Sequence, residues 1–170
     1  LKQGAKGLVF DVREDGGGLV AALEKIVDPL LPAGDIATAT YQDGTTKVLV
    51  HSDANELNLP MMVLVNGNTA SAAELFTASL KDFGKAEVIG EQTFGKGIMQ
   101  NTFELPDGGA VTLTVATYQT TKGECYHGVG ITPDVIMEED YEKVDFDHPN
   151  PEQDAQLKQA MELLQSKISS

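Results

Sequence analysis

Two stretches of this chain repeat one three-part pattern, and it limits the fold more than any other feature. Lys6-Gly7-Leu8-Val9-Phe10-Asp11-Val12 is a short apolar run that stops at Arg13-Glu14-Asp15 and three glycines, Gly16, Gly17 and Gly18. From Leu19 the apolar positions Leu19, Leu23, Ile26, Val27 and Leu30 recur at helical spacing until Pro29 and Pro32 close the segment. Met61 to Val65, introduced by Pro60, is a second continuous apolar run; Asn66-Gly67-Asn68-Thr69 ends it, and a helical pattern follows from Ala70 to about Phe83. A short run without a polar side fits a strand buried on both faces. Strand, tight turn and helix, stated twice, predict parallel strands joined by crossover helices.

The remaining elements fit around that frame. Ala86 to Ile89 is a third short apolar strand. Asp35–Gln42 and Thr46–His51 flank Asp43-Gly44, a hairpin expected to project from the main sheet. Ile98–Leu105 and Ala110–Gln119 alternate around Pro106-Asp107-Gly108-Gly109 and predict a second hairpin. The class is therefore α/β or α+β. Between Met137 and Asp154 eight acids face Lys143 alone, which reads as a solvated linker. Asn150-Pro151-Glu152-Gln153 then supplies cap and first-turn signals for an amphipathic helix whose stripe is Leu157, Met161, Leu164 and Ile168. The expected division is a core over 1–136, an acidic linker over 137–150 and a C-terminal helix over 151–170 packing on the core.

A chain of 170 residues has room for a core that hides roughly two-thirds of its unfolded surface, so it needs no disulfide staples. Twelve Lys and Arg against 26 Asp and Glu leave a formal charge of −14, which repels phosphate backbones and anionic lipid; nucleic acid is not an expected partner. Cys125 has no disulfide mate, and it shares no zinc-type spacing with His51, His127 or His148, so structural zinc is not expected. No apolar run approaches the roughly 18 residues of a membrane span. Leu1-Lys2-Gln3-Gly4 is not a signal peptide, and a chain opening without Met, almost on a strand, is expected to be an excised piece.

Two loops carry chemistry. Gly90-Glu91-Gln92-Thr93-Phe94-Gly95-Lys96-Gly97 matches the start of a phosphate-binding loop, but Gly97 stands where Ser or Thr should bind magnesium, and a strand pattern follows where a helix should receive the phosphates. Lys96 can instead be a base, and Ser71, at the turn from a buried strand into a helix, a nucleophile with unpaired backbone N–H groups beside it. Ser near a helix start is most often a cap, and a lysine is most often a solvated surface group. A lysine acts as a base only as the neutral amine, which requires its ordinary value of about 10.4 to fall to roughly 7–8 by burial. The histidines share no motif with a serine, Cys125 has no base beside it, and Phe94, Phe103 and Tyr118 are more often core than pocket.

Several segments together resemble one family. Asn68-Thr69-Ala70-Ser71-Ala72-Ala73-Glu74, Leu80-Lys81-Asp82, Gly90-Glu91 and Thr93-Phe94-Gly95-Lys96-Gly97 with Gln100 are similar to the C-terminal processing (tail-specific) serine proteases, as are the turn from Asp11 to Gly18 and the segment from Gly128 to Val135. The interval of 25 residues from Ser71 to Lys96 matches the family's nucleophile-to-base spacing. The resemblance implies a ClpP/crotonase-like core and a serine endopeptidase cleaving near protein C-termini through an acyl-enzyme. In that reading Ser71 is the nucleophile, Lys96 the general base, and Gln100 the residue that positions it; Ala72 and Gly17 N–H groups hold the oxyanion, and Asp82 is structural support. The serine–lysine chemistry that the resemblance implies requires neither metal nor cofactor. It also implies C-terminal peptide tails as partners, an extracytoplasmic location, and a parent chain with a PDZ module and N-terminal helices, with self-association left open. Gly16 departs from the family's usual proline. The alternative is a catalytically silent core of the same fold that binds peptides or assembles with a partner.

Overall fold

Each apolar run becomes a strand of one parallel sheet. In the structure, a computed structural model describing residues 4–53 and 55–169, the elements in chain order are β1 (Leu8–Asp11), α1 (Val20–Val27), a 3-10 turn (Asp28–Leu30), β2 (Gly34–Tyr41), β3 (Thr46–Ser52), β4 (Met61–Val65), α2 (Ala72–Asp82), β5 (Ala86–Gly90), β6 (Ile98–Glu104), β7 (Ala110–Thr120), β8 (Val135–Ile136) and α3 (Ala155–Ser169). The opening residues 1–3, read above as lacking a signal peptide, lie outside the described residues.

The parallel sheet has the order β1-β4-β5-β8, with Leu8 opposite Met61, Met61 opposite Ala86 and Ile89 opposite Val135. Every residue of β4 is buried, because its two faces are covered differently. Met61, Val63 and Val65 join Leu75, Leu80 and the second sheet in the main core, while Met62 and Leu64 join Ile89, Ala160 and Leu164 beneath α3. That is the period-two alternation of a central strand turned to two apolar layers. β8 has no sequence signal, being two residues long; Asp134 sets it by donating its N–H to the Val88 carbonyl and accepting the Val88 N–H on its carboxylate.

The two hairpins do not stand alone. β2 pairs with β7, Ala37 opposite Thr120 and Tyr41 opposite Ala116, which makes a separate antiparallel sheet of order β3-β2-β7-β6. Its inner half contributes Ile36, Ala39, Val50, Ala116 and Tyr118 to the core.

The C-terminal helix begins four residues later than the sequence cues suggest. Asp154, not Asn150, caps it by accepting the Leu157 N–H at 2.8 Å, whereas Asn150 accepts the Glu152 N–H in a preceding turn. Met161 points outward, 48% exposed, and Ala160 and Leu163 complete the apolar stripe with Leu157, Leu164 and Ile168. No helix among the described residues is long and apolar enough to cross a membrane.

Candidate active site

Because β1, β4 and β5 run parallel, the turns that leave their carboxyl ends lie side by side, the usual location of a site on such a sheet. Backbone hydrogen bonds stitch them together: Ala70 N–H to the Asp15 carbonyl, Phe94 N–H to the Thr69 carbonyl and, from the second sheet, Tyr118 N–H to the Gly97 carbonyl. The Thr69 hydroxyl adds a bond to the Val12 carbonyl at 2.8 Å.

Ser71 stands at the junction of the β4–α2 turn and the helix with φ 57° and ψ −119°. A side-chain-bearing residue in that region is strained by roughly 1–3 kcal/mol, and such strain persists where surrounding contacts fix it. Here the contact is Glu74, fully buried in the first turn of α2. Its carboxylate accepts the Ser71 N–H at 2.9 Å, the Gly95 N–H at 2.7 Å, the Lys96 N–H at 2.7 Å and the Thr93 hydroxyl at 2.6 Å. One side chain therefore fixes the backbones of both Ser71 and Lys96. It also takes the N–H groups a phosphate would need, and the chain enters β6 rather than a helix, so loop 90–97 is not built as a phosphate cradle.

Tyr118 completes the bridge. Its hydroxyl donates to the Lys96 carbonyl at 2.8 Å and lies 3.4 Å from Ser71 Oγ; burial, the leading cause, pushes its ionisation above the ordinary tyrosine value. The Tyr126 ring meets it edge-on at 6.1 Å. The Lys96 side chain is half-buried, and among the described residues no hydrogen bond joins its Nζ to Ser71 Oγ. Gln100 is exposed on β6 opposite Thr114, just past a bulge at Met99, and no hydrogen bond links its amide to Lys96 among the described residues.

The turn from β1 packs directly on the start of α2. Gly17, at φ 90°, lies so near that a Cβ there would come within 2.6 Å of both the Ala72 nitrogen and the Ala70 carbonyl oxygen, so only glycine fits. Ala72 heads the helix, where an N–H has no intrahelical partner. The Gly17 N–H is directed to Asp15 Oδ1 at 2.8 Å. Asp82, at the far end of α2, accepts the Thr120 hydroxyl and sits against Gly123, which ties the helix to the end of β7. His127 reaches the Gly95 carbonyl at 3.2 Å, while His51 and His148 pair with Asp35 and Asp145 on the surface.

Reading the sequence missed Glu74 and Tyr118. Glu74 carries a visible signal, the Ser-x-x-Glu spacing of a capping box, but its bonds to loop 93–96 span about twenty positions and have no local signature. Tyr118 reads as a core aromatic and is one; its hydroxyl becomes a bridge only through the β6–β7 register.

The profile of peptidase family S41 matches residues 1–137. The chain belongs to peptidase family S41. Relatives of this S41 chain include the carboxyl-terminal-processing protease of Synechocystis, 36% identical over 96% of this chain and 38% of that protein, and the chloroplastic C-terminal processing peptidase of Tetradesmus obliquus, 40% identical over 81% of this chain and 30% of that protein. The carboxy-terminal processing protease CtpA of Bacillus subtilis is 39% identical over 85% of this chain and 32% of its own. Among solved structures, the photosystem II D1 C-terminal processing protease superposes with a TM-score of 0.74 at 40% identity, over 81% of this chain and 36% of that one. The S41 chain thus has the mixed α/β fold of these proteases and spans between 30% and 38% of their length.

Proposed function

We propose that this S41 domain is the catalytic core of a serine endopeptidase that cleaves proteins near their C-termini. The observation that carries the reading is the Glu74 carboxylate, which holds the strained backbone of Ser71 and the backbone of Lys96 in one hydrogen-bonded unit. In the proposed reaction the neutral Lys96 amine takes the Ser71 proton as Oγ attacks the scissile carbonyl. Negative charge develops on the carbonyl oxygen at the Ala72 and Gly17 N–H groups. Lys96 then passes its proton to the leaving amine, and water repeats the cycle to release the acyl group and restore Ser71. Gln100 orients Lys96, and Asp82 supports α2 from its far end.

Three local motions are required, the first being that the Gln100 amide turns from solvent toward Lys96. Lys96 Nζ must turn toward Ser71 Oγ, and the Gly17 N–H must exchange the Asp15 carboxylate for the oxyanion. The substrates follow from the processing of carboxyl termini in the relatives' names: flexible C-terminal tails; an extracytoplasmic compartment is the location that the resemblance of the sequence motifs implies. The Gly17 N–H held by Asp15, together with a Lys96 Nζ not hydrogen-bonded to Ser71 Oγ among the described residues, favours the second reading, a silent core that binds peptides without cutting them.

The test is cleavage of an unstructured peptide by the full-length protein beside its Ser71→Ala and Lys96→Ala variants. A loss of at least about a thousandfold in kcat/KM from each substitution is expected, the scale seen when a nucleophile or its base is removed. Peptide binding without turnover in the unsubstituted protein would put the silent core in its place.

A further inference from the structure

The turn leaving β1, which carries Gly17, and the loop leaving β5, which carries Lys96, are separated in the sheet by β4, and a second tie joins them through α3. We propose that Gln156, the second residue of α3, is a positioning residue for the peptidase reaction: it braces both outer turns at once and so sets the oxyanion donor against the base. The inference rests on the peptidase reading above and names a residue remote from the site that governs its geometry.

Gln156 is fully buried, and its amide is used to capacity. The side-chain oxygen accepts Arg13 Nη1 at 3.1 Å, while the NH2 donates to the Met137 carbonyl at 2.6 Å and to the Tyr141 hydroxyl at 3.2 Å. Tyr141 passes the tie on by donating to Glu91 at 2.8 Å. A guanidinium only donates and a carbonyl only accepts, so these neighbours fix which way the amide points. Arg13 lies four residues before Gly17 and Glu91 five before Lys96, so three successive hydrogen bonds run from one functional turn to the other.

The direct bonds between these turns take a different route. Ala70 binds the Asp15 carbonyl and Phe94 binds the Thr69 carbonyl, so both run through the residues next to Ser71, the segment that reacts. The Gln156 relay holds the outer turns from the α3 side, independently of that segment. As Ser71 changes from free hydroxyl to acyl ester, the relay keeps Gly17 and Lys96 at one separation. Docking of α3 does not by itself require the amide, because Ala160 and Leu164 already pack on the sheet and Asp154 already caps the helix. What Gln156 adds is the join between Arg13 and Tyr141. It also lies past residue 137, where the match to the S41 profile ends, so the motifs that mark Ser71 and Lys96 do not reach it.

The experiment compares the full-length protein with Gln156→Leu, which removes all three side-chain bonds at similar volume, and Tyr141→Phe, which cuts only the arm to Glu91. On an unstructured peptide, kcat is expected to fall by about 10- to 100-fold in Gln156→Leu and about 3- to 10-fold in Tyr141→Phe, with KM within about twofold, the scale of a small misplacement remote from the chemistry. The inhibition constant of a peptide aldehyde, whose adduct with Ser71 puts an oxygen at the oxyanion donors, should rise in step with the loss of kcat. Unchanged kcat and aldehyde affinity in both variants, or a loss confined to KM, overturns the positioning role and leaves the peptidase reading standing. If Gln156→Leu does not fold, Tyr141→Phe decides alone, since Tyr141 is only half-buried and keeps its ring. An unsubstituted protein that neither cleaves peptides nor reacts at Ser71 with a serine-directed phosphonate overturns both.

Discussion

Among the described residues no ion pair joins Glu74, and its buried carboxylate is satisfied by donors: three backbone N–H groups and the Thr93 hydroxyl, all within 2.9 Å. A carboxylate is the one side chain of this shape with only acceptors, and every neighbour here is a donor. Glu74→Gln keeps the volume but turns an NH2 toward N–H groups, leaving at least one buried donor unpaired. Hydrogen bonds to charged groups are worth about 1.5–3 kcal/mol each, and stranding a buried partner adds to the loss. The variant is expected to lose about 3 kcal/mol of unfolding free energy in urea and most of any peptidase activity. Full stability with lost activity would show that Glu74 acts on the chemistry rather than through the backbones it holds. At this scale the sequence makes Ser71, Lys96 and the turn glycines visible, since each sits in a local motif. Contacts such as Glu74 to Gly95 depend on two turns meeting in space, which no local pattern encodes.

Among the elements, the segment from β8 to α3 acts as a strap across the site's supporting turns. The Arg13 guanidinium, 1% exposed, binds Asp11 and Asp154, each at 2.6 Å, and Gln156 at 3.1 Å. Asp154 in turn caps α3, and Gln156 donates to the Met137 carbonyl and the Tyr141 hydroxyl. Tyr141 continues to Glu91 at 2.8 Å, and burial, the leading cause, pushes its ionisation up to about 12. The turn after β1 and the loop after β5 are thus joined through residues that a charge count reads as a solvated stretch. Glu152 and Asp145 are exposed, but a charge count cannot show that Arg13, 141 positions away, claims Asp154. Burial works against the Asp154 charge, yet the Arg13 guanidinium and the Leu157 N–H outweigh it and hold the carboxyl below the ordinary range. A depressed folded-state value contributes stability that is present above the unfolded value of about 3.9 and is lost as pH falls through the folded one. Asp154→Ala is expected to cost about 3 kcal/mol at pH 7 and progressively less below about pH 4, measured by urea unfolding across pH. A loss that stays constant down to pH 2 would mean that the Asp154 charge contributes nothing.

For the whole molecule, the parallel sheet was legible because its strands are continuous apolar runs, and the hairpins because Asp43-Gly44 and Pro106-Asp107-Gly108-Gly109 mark their turns. The union of those hairpins into one sheet was not, since β2 and β7 meet across a long stretch of intervening chain and every pair between them includes a Thr or an Ala, which favour no particular partner. What composition does fix is the global field. A formal charge of −14 on a single domain produces self-repulsion spread over the surface, where salt screens it, with a Debye length of about 30 Å at 0.01 M falling to about 8 Å at 0.15 M. The Arg13 cluster opposes this repulsion but is buried, so added salt weakens it far less. The two contributions therefore separate by ionic strength, and the surface one predicts the sign. Tm at pH 7 is expected to rise between about 20 and 200 mM sodium chloride, by about 2–4 °C if screening recovers roughly 1 kcal/mol in a domain of this size. The same rise should appear in Asp154→Ala, displaced to lower temperature, because that substitution removes a buried charge and leaves the surface field almost intact. A Tm that falls with salt would mean that attractive surface pairs, such as Lys85 with Glu56 and Lys81 with Asp134, outweigh the net repulsion.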